Sequence, residues 1–515
     1  MARLYEYQGK ELLLEAGFAV PRGGVARTPD EARARAKAVD GPVVLKAQVF
    51  VTGRAAAGGI RFADTPDEAA TVAAEMLGAD VKGQAVAELL VEEKLEIASE
   101  MYAGVIVDDA AGQPLLIFAG VGGTGIEEIA AANPDKVVRR HIDVNRGLRP
   151  YDGVNAAREA GLTGKTLAKV GRALVHLWET ARRCEARAAE INPLVVTGAG
   201  EVVAADCRIT IDDYAVYRHP ELGIEVAREF DRPPTELDLI AYNVEKDDYR
   251  GTFYFVQLEQ GYSRGDGYVG FHGAGGGGSM MSMDAVLAEG FKLANFCDTS
   301  GNPPASKVYR AAKIILAQGP IDGYFGSGSG VASQEQFHSA RGLVKAFREA
   351  WLDIPAVIRL GGNREDLAVE ILTGYTQSLP APVEGYKKDD PAGFCARRLR
   401  ELVDAWDYAK THERLPEEPH DADYSFGTIT GGTVSYDYGR CGECDTKVCI
   451  ETCVPGILEL DDDGCPRLNI PLEDAAKGKC TECLACEVEC YARGDGGGKI
   501  HLPIPGLAEY LKARL

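Results

Sequence analysis

Nine of the 13 cysteines fall within residues 441–490. The stretch 480–490 reads CTECLACEVEC, which spaces Cys480, Cys483, Cys486 and Cys490 as C-x2-C-x2-C-x3-C. Thiolates at this spacing are ligands of iron–sulfur clusters. The other four cysteines are scattered singly, unlike those of a small secreted disulfide scaffold. The pattern therefore predicts metal binding in a reducing compartment.

This is the second of two cysteine runs. The first run, Cys441 to Cys453, is separated from it by GILELDDDGCPRLNI, a predicted hairpin with an Asp-Gly turn. The two runs together resemble bacterial two-cluster ferredoxins, in which the fourth cysteine of each run ligates the other cluster. The resemblance implies one [4Fe–4S] cluster on Cys441, Cys444, Cys449 and Cys490, and another on Cys480, Cys483, Cys486 and Cys453. Cys465 is left over.

The first run departs from the ferredoxin pattern. Four residues separate Cys444 from Cys449 where that family has two, and neither run is followed directly by proline at its end. The type of the first cluster therefore stays open. A pair of structural zinc sites is the alternative interpretation.

Near the N-terminus, the segment VVLKAQVFVTGRAAAGG (43–59) has the residue types for phosphate binding. Lys46 ends a predicted strand, and Gly53 and Arg54 lie in the glycine-bounded loop that follows. Loop N–H groups and a lysine can together bind a nucleotide phosphate. An exposed lysine beside a surface loop is the alternative interpretation.

The segment EINPLVVTGAGEVVAADCRI (190–209) predicts a hairpin, since two β-branched runs flank a glycine turn. A turn centred on Ala199 places Asn192 opposite Asp206, with Glu190 on the same face. Three oxygen-bearing side chains would then converge. A cross-strand polar pair without a ligand is the alternative.

The elements that must position these groups follow from periodicity. Residues 1–235 alternate strands (41–50, 99–109) with helices (28–39, 65–77), and both helices open with Thr-Pro-Asp-Glu. Residues 236–385 hold three strand–glycine loop–helix units, the pattern of a parallel sheet whose ligands lie beyond the strand ends. Residues 386–425 are predicted as a charged linker around one amphipathic helix, and 426–515 as the cysteine domain.

Composition excludes some functions. A net charge of −22 argues against a nucleic-acid-binding surface. No apolar run reaches the length of a membrane span, and the first residues lack a signal-peptide core. We expect a cytoplasmic protein with neither nucleic-acid nor membrane partners.

A succession of motifs over about residues 1–378 resembles the succinyl-CoA synthetase β subunit family. The segments LYEYQGKELL, LKAQVFVTGR, LVEEKLEIASEMY, GGTGIEEIAAANP and EINPLVVT are similar to its ATP-grasp domain. The segments GFHGAGGGGSM, FGSGSGVASQ and VIRLGGNRED continue the similarity. The implied fold is α/β and α+β multidomain: an ATP-grasp domain (1–235), a flavodoxin-like parallel-sheet CoA-ligase domain (236–385) and a small α+β ferredoxin-like domain after the linker.

The same resemblance implies roles for particular residues. Lys46, Gly53 and Arg54 would contact the phosphates of ATP, and Glu92 and Glu100 would lie near the adenosine. Asn192 and Asp206 would hold Mg²⁺, which prefers oxygen ligands. Glu190 would orient a phosphohistidine. The second glycine loop, with Gly328, Ser329, Gly330 and Val331, would face the substrate.

The family mechanism implies a partner. ATP phosphorylates a histidine, the phosphoryl group passes to a carboxylate, and the thiolate of CoA attacks the acyl phosphate. In the family the histidine and the CoA-binding fold belong to a separate α subunit. His272 lies where the family carries an asparagine, so Glu190 and His272 are the catalytic candidates here. We favour a substrate-pocket or structural role for His272 over phosphorylation.

Departures from the family pattern concern the acid pocket and the phosphate loop. Ala55–Ala56 replaces Gly-Lys, Val121 and Gly361 each replace a glutamate, and the second glycine loop is longer. We therefore expect an ADP-forming acid–CoA ligase subunit whose acid is not succinate, with clusters that serve a redox enzyme partner. The alternatives are an ATP-driven low-potential electron carrier that makes no thioester, and a non-catalytic scaffold. ATP and GTP are not distinguished.

Overall fold

The computed structural model describes residues 2–514 except 52, 123–130, 132–133, 229, 231, 249, 329–334, 411–413 and 415–418. The chain divides into two compact units, Met1–Pro234 and Thr235–Leu515. Within the described residues, no helix combines the length and apolar character of a membrane span.

The first unit alternates helices and strands. Its helices are α1 (Glu6–Glu15), α2 (Pro29–Val39), α3 (Pro66–Met76), α4 (Pro150–Glu159) and α5 (Thr166–Arg183). Its strands are β1 (Ala2–Arg3), β2 (Gly23–Ala26), β3 (Val43–Ala47), β4 (Ile60–Ala63), β5 (Asp80–Val81), β6 (Gln84–Ala85), β7 (Leu89–Glu93), β8 (Ile97–Asp108), β9 (Gln113–Ala119), β10 (Val137–His141), β11 (Ala186–Thr197), β12 (Val202–Ala204) and β13 (Cys207–Ile211).

Two antiparallel sheets organise this unit. The larger has the order β1-β13-β11-β8-β9-β10, with β12 paired to β11, and the smaller has the order β2-β7-β3-β4. Helices α2 and α3 begin as predicted, since the hydroxyls of Thr28 and Thr65 accept hydrogen bonds from the backbone N–H of Glu31 and Glu68. The strands predicted at 41–50 and 99–109 are confirmed as β3 and β8.

The second unit is built around a seven-stranded sheet. Its strands are β14 (Tyr254–Gln257), β15 (Tyr268–Ala274), β16 (Lys292–Leu293), β17 (Asn295–Asp298), β18 (Gly323–Gly328), β19 (Ala356–Arg359) and β20 (Val383–Tyr386). Helix α6 (Glu236–Lys246) precedes β14, and helix α11 (Ala392–Ala405) follows β20. The crossover helices between the parallel strands are α7 (Gly276–Ala288), α8 (Ala305–Leu316), α9 (Phe337–Ala350) and α10 (Glu365–Tyr375).

The sheet has the order β14-β17-β15-β18-β19-β20. Strands β15, β17, β18, β19 and β20 pair in parallel, which gives the 2-1-3-4-5 order of flavodoxin-like folds. The parallel sheet predicted from the glycine loops is confirmed. Strand β14 adds an antiparallel edge that the sequence reasoning did not foresee.

Helix α11 lies within the stretch predicted as a linker, yet it packs on the sheet. Cys395, Ala396, Leu399 and Val403 form a buried cluster with residues of β15, β18 and β19. The reason is its one apolar face, which a free spacer would expose to water. This part of residues 386–425 therefore belongs to the second unit as a structural layer.

The cysteine-rich segment is a small α+β region. Its strands are β21 (Tyr424–Gly427), β22 (Thr433–Tyr436), β23 (Leu458–Leu460), β24 (Pro466–Leu468) and β25 (Gly498–His501). Its helices are α12 (Tyr438–Glu443), α13 (Val448–Glu451), α14 (Leu472–Asp474), α15 (Ala485–Arg493) and α16 (Leu507–Lys512). Strands β23 and β24 pair antiparallel, so the predicted hairpin between the cysteine runs is confirmed.

One hydrophobic core joins this region to the parallel-sheet part of the unit. Leu343 and Phe347 of α9 belong to the same buried cluster as Val434, Tyr436 and Val488. Three buried ion pairs connect the same two parts: Arg310–Glu482 at 3.7 Å, Arg341–Glu489 at 2.9 Å and Lys345–Glu487 at 2.7 Å. The finer division at residues 385 and 425 stays a prediction.

Candidate functional site

The hairpin that carries the predicted metal ligands has the expected register. Leu194 pairs with Ala204 and Ile191 with Cys207, which centres the turn on Ala199. The backbone N–H of Asn192 donates to the carbonyl oxygen of Asp206 over 3.2 Å. The two residues are therefore cross-strand neighbours, as the turn predicted.

A cavity of about 370 Å³ in the first unit collects most of the predicted nucleotide residues. The residues predicted from the sequence that line this cavity are Gly53, Arg54, Glu100, Glu190, Asn192 and Asp206. Tyr5 and Phe50 add aromatic surface, with ring centroids 4.5 Å apart. Elements that are distant along the chain thus meet at one concave site with charged, amide and aromatic groups.

Lys46 and Glu92 lie behind this cavity in a buried ion network. The Lys46 ammonium is 2.7 Å from Glu6 Oε1 and 3.0 Å from Glu92 Oε2, and it donates to the Ala205 carbonyl oxygen over 2.6 Å. Lys10 bridges the same two carboxylates at 2.8 and 2.7 Å. Neither Lys46 nor Glu92 is among the residues that line the cavity.

Arg54 connects the network to the predicted metal site. Its guanidinium Nη2 contacts a carboxylate oxygen of Glu6 and lies 2.9 Å from Asp206 Oδ2, while Nη1 donates to the Ala47 carbonyl oxygen. The network thus contains three cations and three carboxylates: Glu6, Lys10, Lys46, Arg54, Glu92 and Asp206. Charges this deeply buried need such pairing to remain ionised.

The network shifts the pKa values of its members in opposite directions. Although burial opposes it, the neighbouring charges of Lys46, Lys10 and Arg54 hold the pKa of Glu6 well below its usual range. Burial and the charge of Glu6 raise the pKa of Asp206. A cation bound beside Asp206 would favour the ionised form of this carboxylate.

The donor set at the hairpin fits Mg²⁺. Asp206 contributes a carboxylate and Asn192 an amide oxygen, and both line the same cavity. Oxygen ligands of this kind, few in number and completed by water and phosphate, are what Mg²⁺ takes in nucleotide sites. Glu190 lines the cavity on the adjoining part of β11, opposite Arg208 of β13.

His272 is buried in the second unit, at 5% exposure. Its Nδ1 lies 2.6 Å from the Tyr324 hydroxyl and its Nε2 3.3 Å from the Thr299 hydroxyl. Burial lowers the pKa of His272 to about 4. The ring is therefore neutral at pH 7, and its nitrogens are held by hydroxyl groups.

The predicted substrate loop follows β18. Gly328 ends this strand and lines a cavity of about 30 Å³ together with His272, Thr299, Gln336 and Arg359. The Arg359 guanidinium donates to the carbonyl oxygens of Gly328, Lys388 and Asp390. Ser329, Gly330 and Val331 lie outside the described residues.

The eight predicted cluster cysteines form two groups, which we call group 1 and group 2. In group 1, burial and then the nearby Cys490 and Cys449 raise the pKa of Cys441 to about 12, with a smaller influence from Cys465 and Cys444. Burial and the influence of Cys490 and Cys444 likewise raise the pKa of Cys449 to about 12. Group 1 thus comprises Cys441, Cys444, Cys449 and Cys490, with Cys465 beside it.

Group 2 surrounds a small cavity lined by Cys453, Cys480, Cys483 and Cys486 together with apolar side chains such as Phe426 and Ile457. Burial, and then Cys483 and Cys480, raise the pKa of the Cys486 thiol. The last cysteine of each run lies with the three cysteines of the other run. All eight thiols are free of disulfides.

Among the described residues, no set of three or more His, Cys, Asp or Glu side chains is arranged to hold a single metal ion. The cysteine groups suit a larger centre by their chemistry, since group 1 offers four buried thiols and group 2 offers four half-buried thiols beside apolar side chains. Both groups therefore fit the ligand set of a [4Fe–4S] cluster.

Sequence reasoning missed Glu6 and Lys10. Both lie in the quoted segment LYEYQGKELL, four residues apart on α1. Their i, i+4 spacing was visible as a signal, but it is more often found on solvent-exposed helix faces. Burial of both side chains, at 6% and 4% exposure, depends on partners about 40 to 200 residues away.

Comparisons with known proteins bear on both units. An ATP-grasp domain family model matches residues 3–196. The chain is 38% identical over 374 residues to the β subunit of ADP-forming succinate–CoA ligase from Rubrobacter xylanophilus, a match that covers 72% of this chain and 92% of the relative. It is 39% identical over 386 residues to the β subunit of GDP-forming succinate–CoA ligase from Thermus thermophilus, covering 75% and 97%.

A solved structure shares the fold. ATP citrate lyase from Methanothrix soehngenii, in complex with citrate and coenzyme A, superimposes with a TM-score of 0.63 at 20% identity, covering 78% of this chain and 99% of that chain. About a quarter of the present chain lies outside the sequence matches to the two curated relatives.

Proposed function

Because the chain belongs to the β-subunit family of succinate–CoA ligases, we propose that it is the β-type subunit of an ADP-forming carboxylate–CoA ligase. The enzyme class is acid–thiol ligase: an acid is joined to the thiol of CoA while ATP is converted to ADP and phosphate. The observation that carries the proposal is the cavity shared by Gly53, Arg54, Glu100, Asn192 and Asp206.

The chain's own residues would bind and orient the nucleotide. Arg54 and the Gly53 loop would contact its phosphates, while Lys46 fixes the charges behind them through Glu6. Asn192 and Asp206 would hold Mg²⁺, which when bound neutralises phosphate charge and aligns the transferred group. Arg54 pairs with Asp206 at 2.9 Å, so a metal held by Asp206 would compete with Arg54 for this carboxylate.

A partner would supply the nucleophile. The β subunits in this family work with an α subunit, and the His272 side chain is too enclosed to reach a nucleotide in the form described. We assign the phosphorylated histidine and the CoA-binding fold to an α-type partner. Glu190, on the hairpin beside the metal pair, would orient that phosphohistidine.

The acid would differ from succinate. Gly361 stands where the family carries a glutamate, and His272 where it carries an asparagine. The His272 ring is anchored to Tyr324 and Thr299, so it adds a bulky neutral group next to Gly328. A carboxylate of different shape or polarity is the expected substrate.

The cysteine groups would hold two [4Fe–4S] clusters. The support for this is that eight free thiols divide into two groups of four, and that the last cysteine of each run lies in the group of the other run. Such clusters supply one-electron transfer when bound. The chain would donate backbone N–H groups of Gly496, Gly497 and Gly498 to the Cys490 sulfur, a contact that tunes potential.

The test uses the chain purified anaerobically with its native partner. ADP release is measured against a panel of carboxylates, with and without CoA, and with the clusters oxidised or reduced by dithionite. The proposal requires release that depends on both an acid and CoA. A difference between redox states would assign a coupling role to the clusters.

A second candidate is ATP-driven electron transfer without thioester formation. The observation that favours it is the shared core and three buried ion pairs between the cysteine segment and the parallel-sheet part. This candidate predicts that ADP release requires a reductant and does not depend on CoA. The same assay therefore separates the two candidates.

A further inference from the structure

A cavity of about 730 Å³ lies in the second unit, apart from the cavity that Gly328 and His272 line. Helices α9 and α15 and the glycine loop at 494–498 form much of its wall. Its volume is in the range of pockets that enclose cofactor-sized molecules.

Cations dominate this cavity in a chain whose net charge is −22. The lysines and arginines along its wall include Lys313, Lys345, Arg348, Arg440 and Lys499, and the carboxylates are Glu349, Glu487 and Asp495. A concave surface with this excess concentrates anions locally, against the field of the rest of the protein.

Not all of these cations are neutralised. Lys345 lies 2.7 Å from both Glu349 and Glu487, and Lys313 lies 3.3 Å from Glu349. Arg348 instead lies over the Tyr491 ring, and no described carboxylate approaches it within ion-pair distance. Burial lowers the pKa of Arg348 and outweighs the opposing influence of Tyr491, Glu487 and Glu349, so a bound anion would reduce the desolvation cost of this cation.

The cavity also offers surfaces for a planar ring. Tyr491 and Trp351 line it. The indole N–H of Trp351 is buried and has no hydrogen-bond acceptor within the described part of the chain. A buried donor of this kind is costly unless an acceptor is supplied, so a ligand acceptor would relieve it.

Only the backbone of the glycine loop at 494–498 lies between the cavity and group 1, because glycines have no side chains. Gly494, Gly496 and Gly498 face the cavity. A Cβ atom built on Gly494 would lie 3.5 Å from Cys444 Sγ, and one on Gly497 would lie 2.6 Å from Cys441 Sγ. A ligand in the cavity would therefore lie one backbone layer from the group 1 sulfurs.

We propose that this cavity binds a phosphate-bearing nucleotide whose phosphates contact Arg348 and Lys499 and whose ring contacts Tyr491 and Trp351. The shared chemistry is a planar base carrying two or more negative charges, which redox nucleotides and CoA both present. This binding site goes beyond the proposed ligase function, since it needs neither the ATP cavity nor bound clusters.

Calorimetric titration of the full chain with FMN, NADPH and CoA, each in Mg²⁺-free buffer, tests the proposal. At least one probe should bind with one-to-one stoichiometry, and its affinity should fall with rising salt. R348A and K499A should each weaken that probe about tenfold or more, because a charge-assisted phosphate contact is lost. K477A, an exposed lysine paired only with Glu473, should bind like wild type.

The probe that binds identifies the ligand source: FMN or NADPH assigns a redox nucleotide, and CoA an acyl carrier. No binding of any probe up to millimolar concentration overturns the proposal. So does binding that both cavity variants leave unchanged while their melting temperatures match wild type. If one variant unfolds, the other and the salt dependence decide.

Position is tested separately. The probe that binds is added to reduced, cluster-loaded protein. It should shift the electron paramagnetic resonance signal of the cluster held by group 1 and leave the signal of the cluster held by group 2 unchanged. If the chain proves to lack clusters, the proposed iron–sulfur role fails, but the titration still decides the binding site.

Discussion

At the scale of single residues, Asp206 combines two environments. Its carboxylate lines the nucleotide cavity, and it also pairs with Arg54 at the edge of a buried ion network. Such a residue can be essential for catalysis or for the charge balance of the network. The two roles predict different effects of its substitution on turnover and on stability.

We predict that Asp206→Ala lowers Mg²⁺-nucleotide turnover at least about 100-fold, because a metal carboxylate ligand is lost. ADP release by the complex with its partner measures this. Glu201→Ala is the matched control, since this carboxylate lies on the same hairpin but is exposed and pairs only with Lys169. Unchanged turnover in Asp206→Ala would favour the scaffold alternative.

Lys46 is enclosed by carboxylates, so its loss should destabilise the first unit. We predict that Lys46→Met lowers the free energy of unfolding by about 3–5 kcal/mol, because Glu6 and Glu92 lose a buried counter-ion. Urea denaturation measures it. Exposed Lys169→Met serves as the control, and a loss below about 1 kcal/mol for Lys46→Met would contradict the structural role.

His272 should make stability depend on pH. Its folded-state pKa of about 4 lies below the unfolded value of 6.5, so the unfolded chain binds the proton first as pH falls. Wild type should therefore lose about 2 kcal/mol relative to His272→Asn between pH 7 and pH 5. Denaturant unfolding at both pH values measures the difference, and parallel pH profiles for the two proteins would refute it.

At the scale of elements, the two cysteine runs exchange their last residues. Cys453 follows α13 yet lies with Cys480, Cys483 and Cys486, while Cys490 on α15 lies with Cys441. Each candidate cluster thus depends on both helices.

We predict that Cys490→Ser and Cys441→Ser each remove about half of the iron and abolish the same paramagnetic signal. Cys453→Ser and Cys483→Ser should abolish the other signal. Iron analysis and electron paramagnetic resonance of the reduced protein measure this. Cys465→Ser is the control and should retain the iron, whereas complete iron loss in every variant would contradict two separate sites.

Local patterns predicted much at this scale. The register of β11 with β12 followed from the two-residue period and the turn at Ala199, and the helix starts at Thr28 and Thr65 followed from capping. The glycine loops predicted the parallel sheet. These features depend on neighbours in the sequence, which a single chain displays directly.

The contacts that sequence reasoning missed are long-range. Lys10 meets Glu92 across 82 positions, and Arg341 meets Glu489 across 148. Nothing local distinguishes these charges from solvated ones. The packing of α11 was missed for the same reason, since its apolar face fits a sheet that only the fold assembles.

At the scale of the whole molecule, the chain divides into two compact units, and the further boundaries predicted at residues 385 and 425 both fall within the second. The cysteine segment shares its core and three buried ion pairs with the parallel-sheet part of the second unit. Its stability should therefore depend on that part.

We predict that residues 235–515 fold as an isolated fragment, while residues 426–515 alone do not. Excision would expose the shared core and leave Glu482 and Glu489 without their arginines. Circular dichroism and amide exchange of both fragments, reconstituted with iron and sulfide, measure this. A cooperatively folded 426–515 fragment would show that the segment is autonomous.

The three ion pairs also bear on how such a chain could change over generations. A deletion that removed the cysteine segment would leave Arg310 and Arg341 without their carboxylates, while Lys345 would keep only Glu349. The two arginines would then be buried charges without a partner, which should destabilise the shortened chain. Loss of the segment in a single step should therefore be selected against, and the joined form is expected to persist.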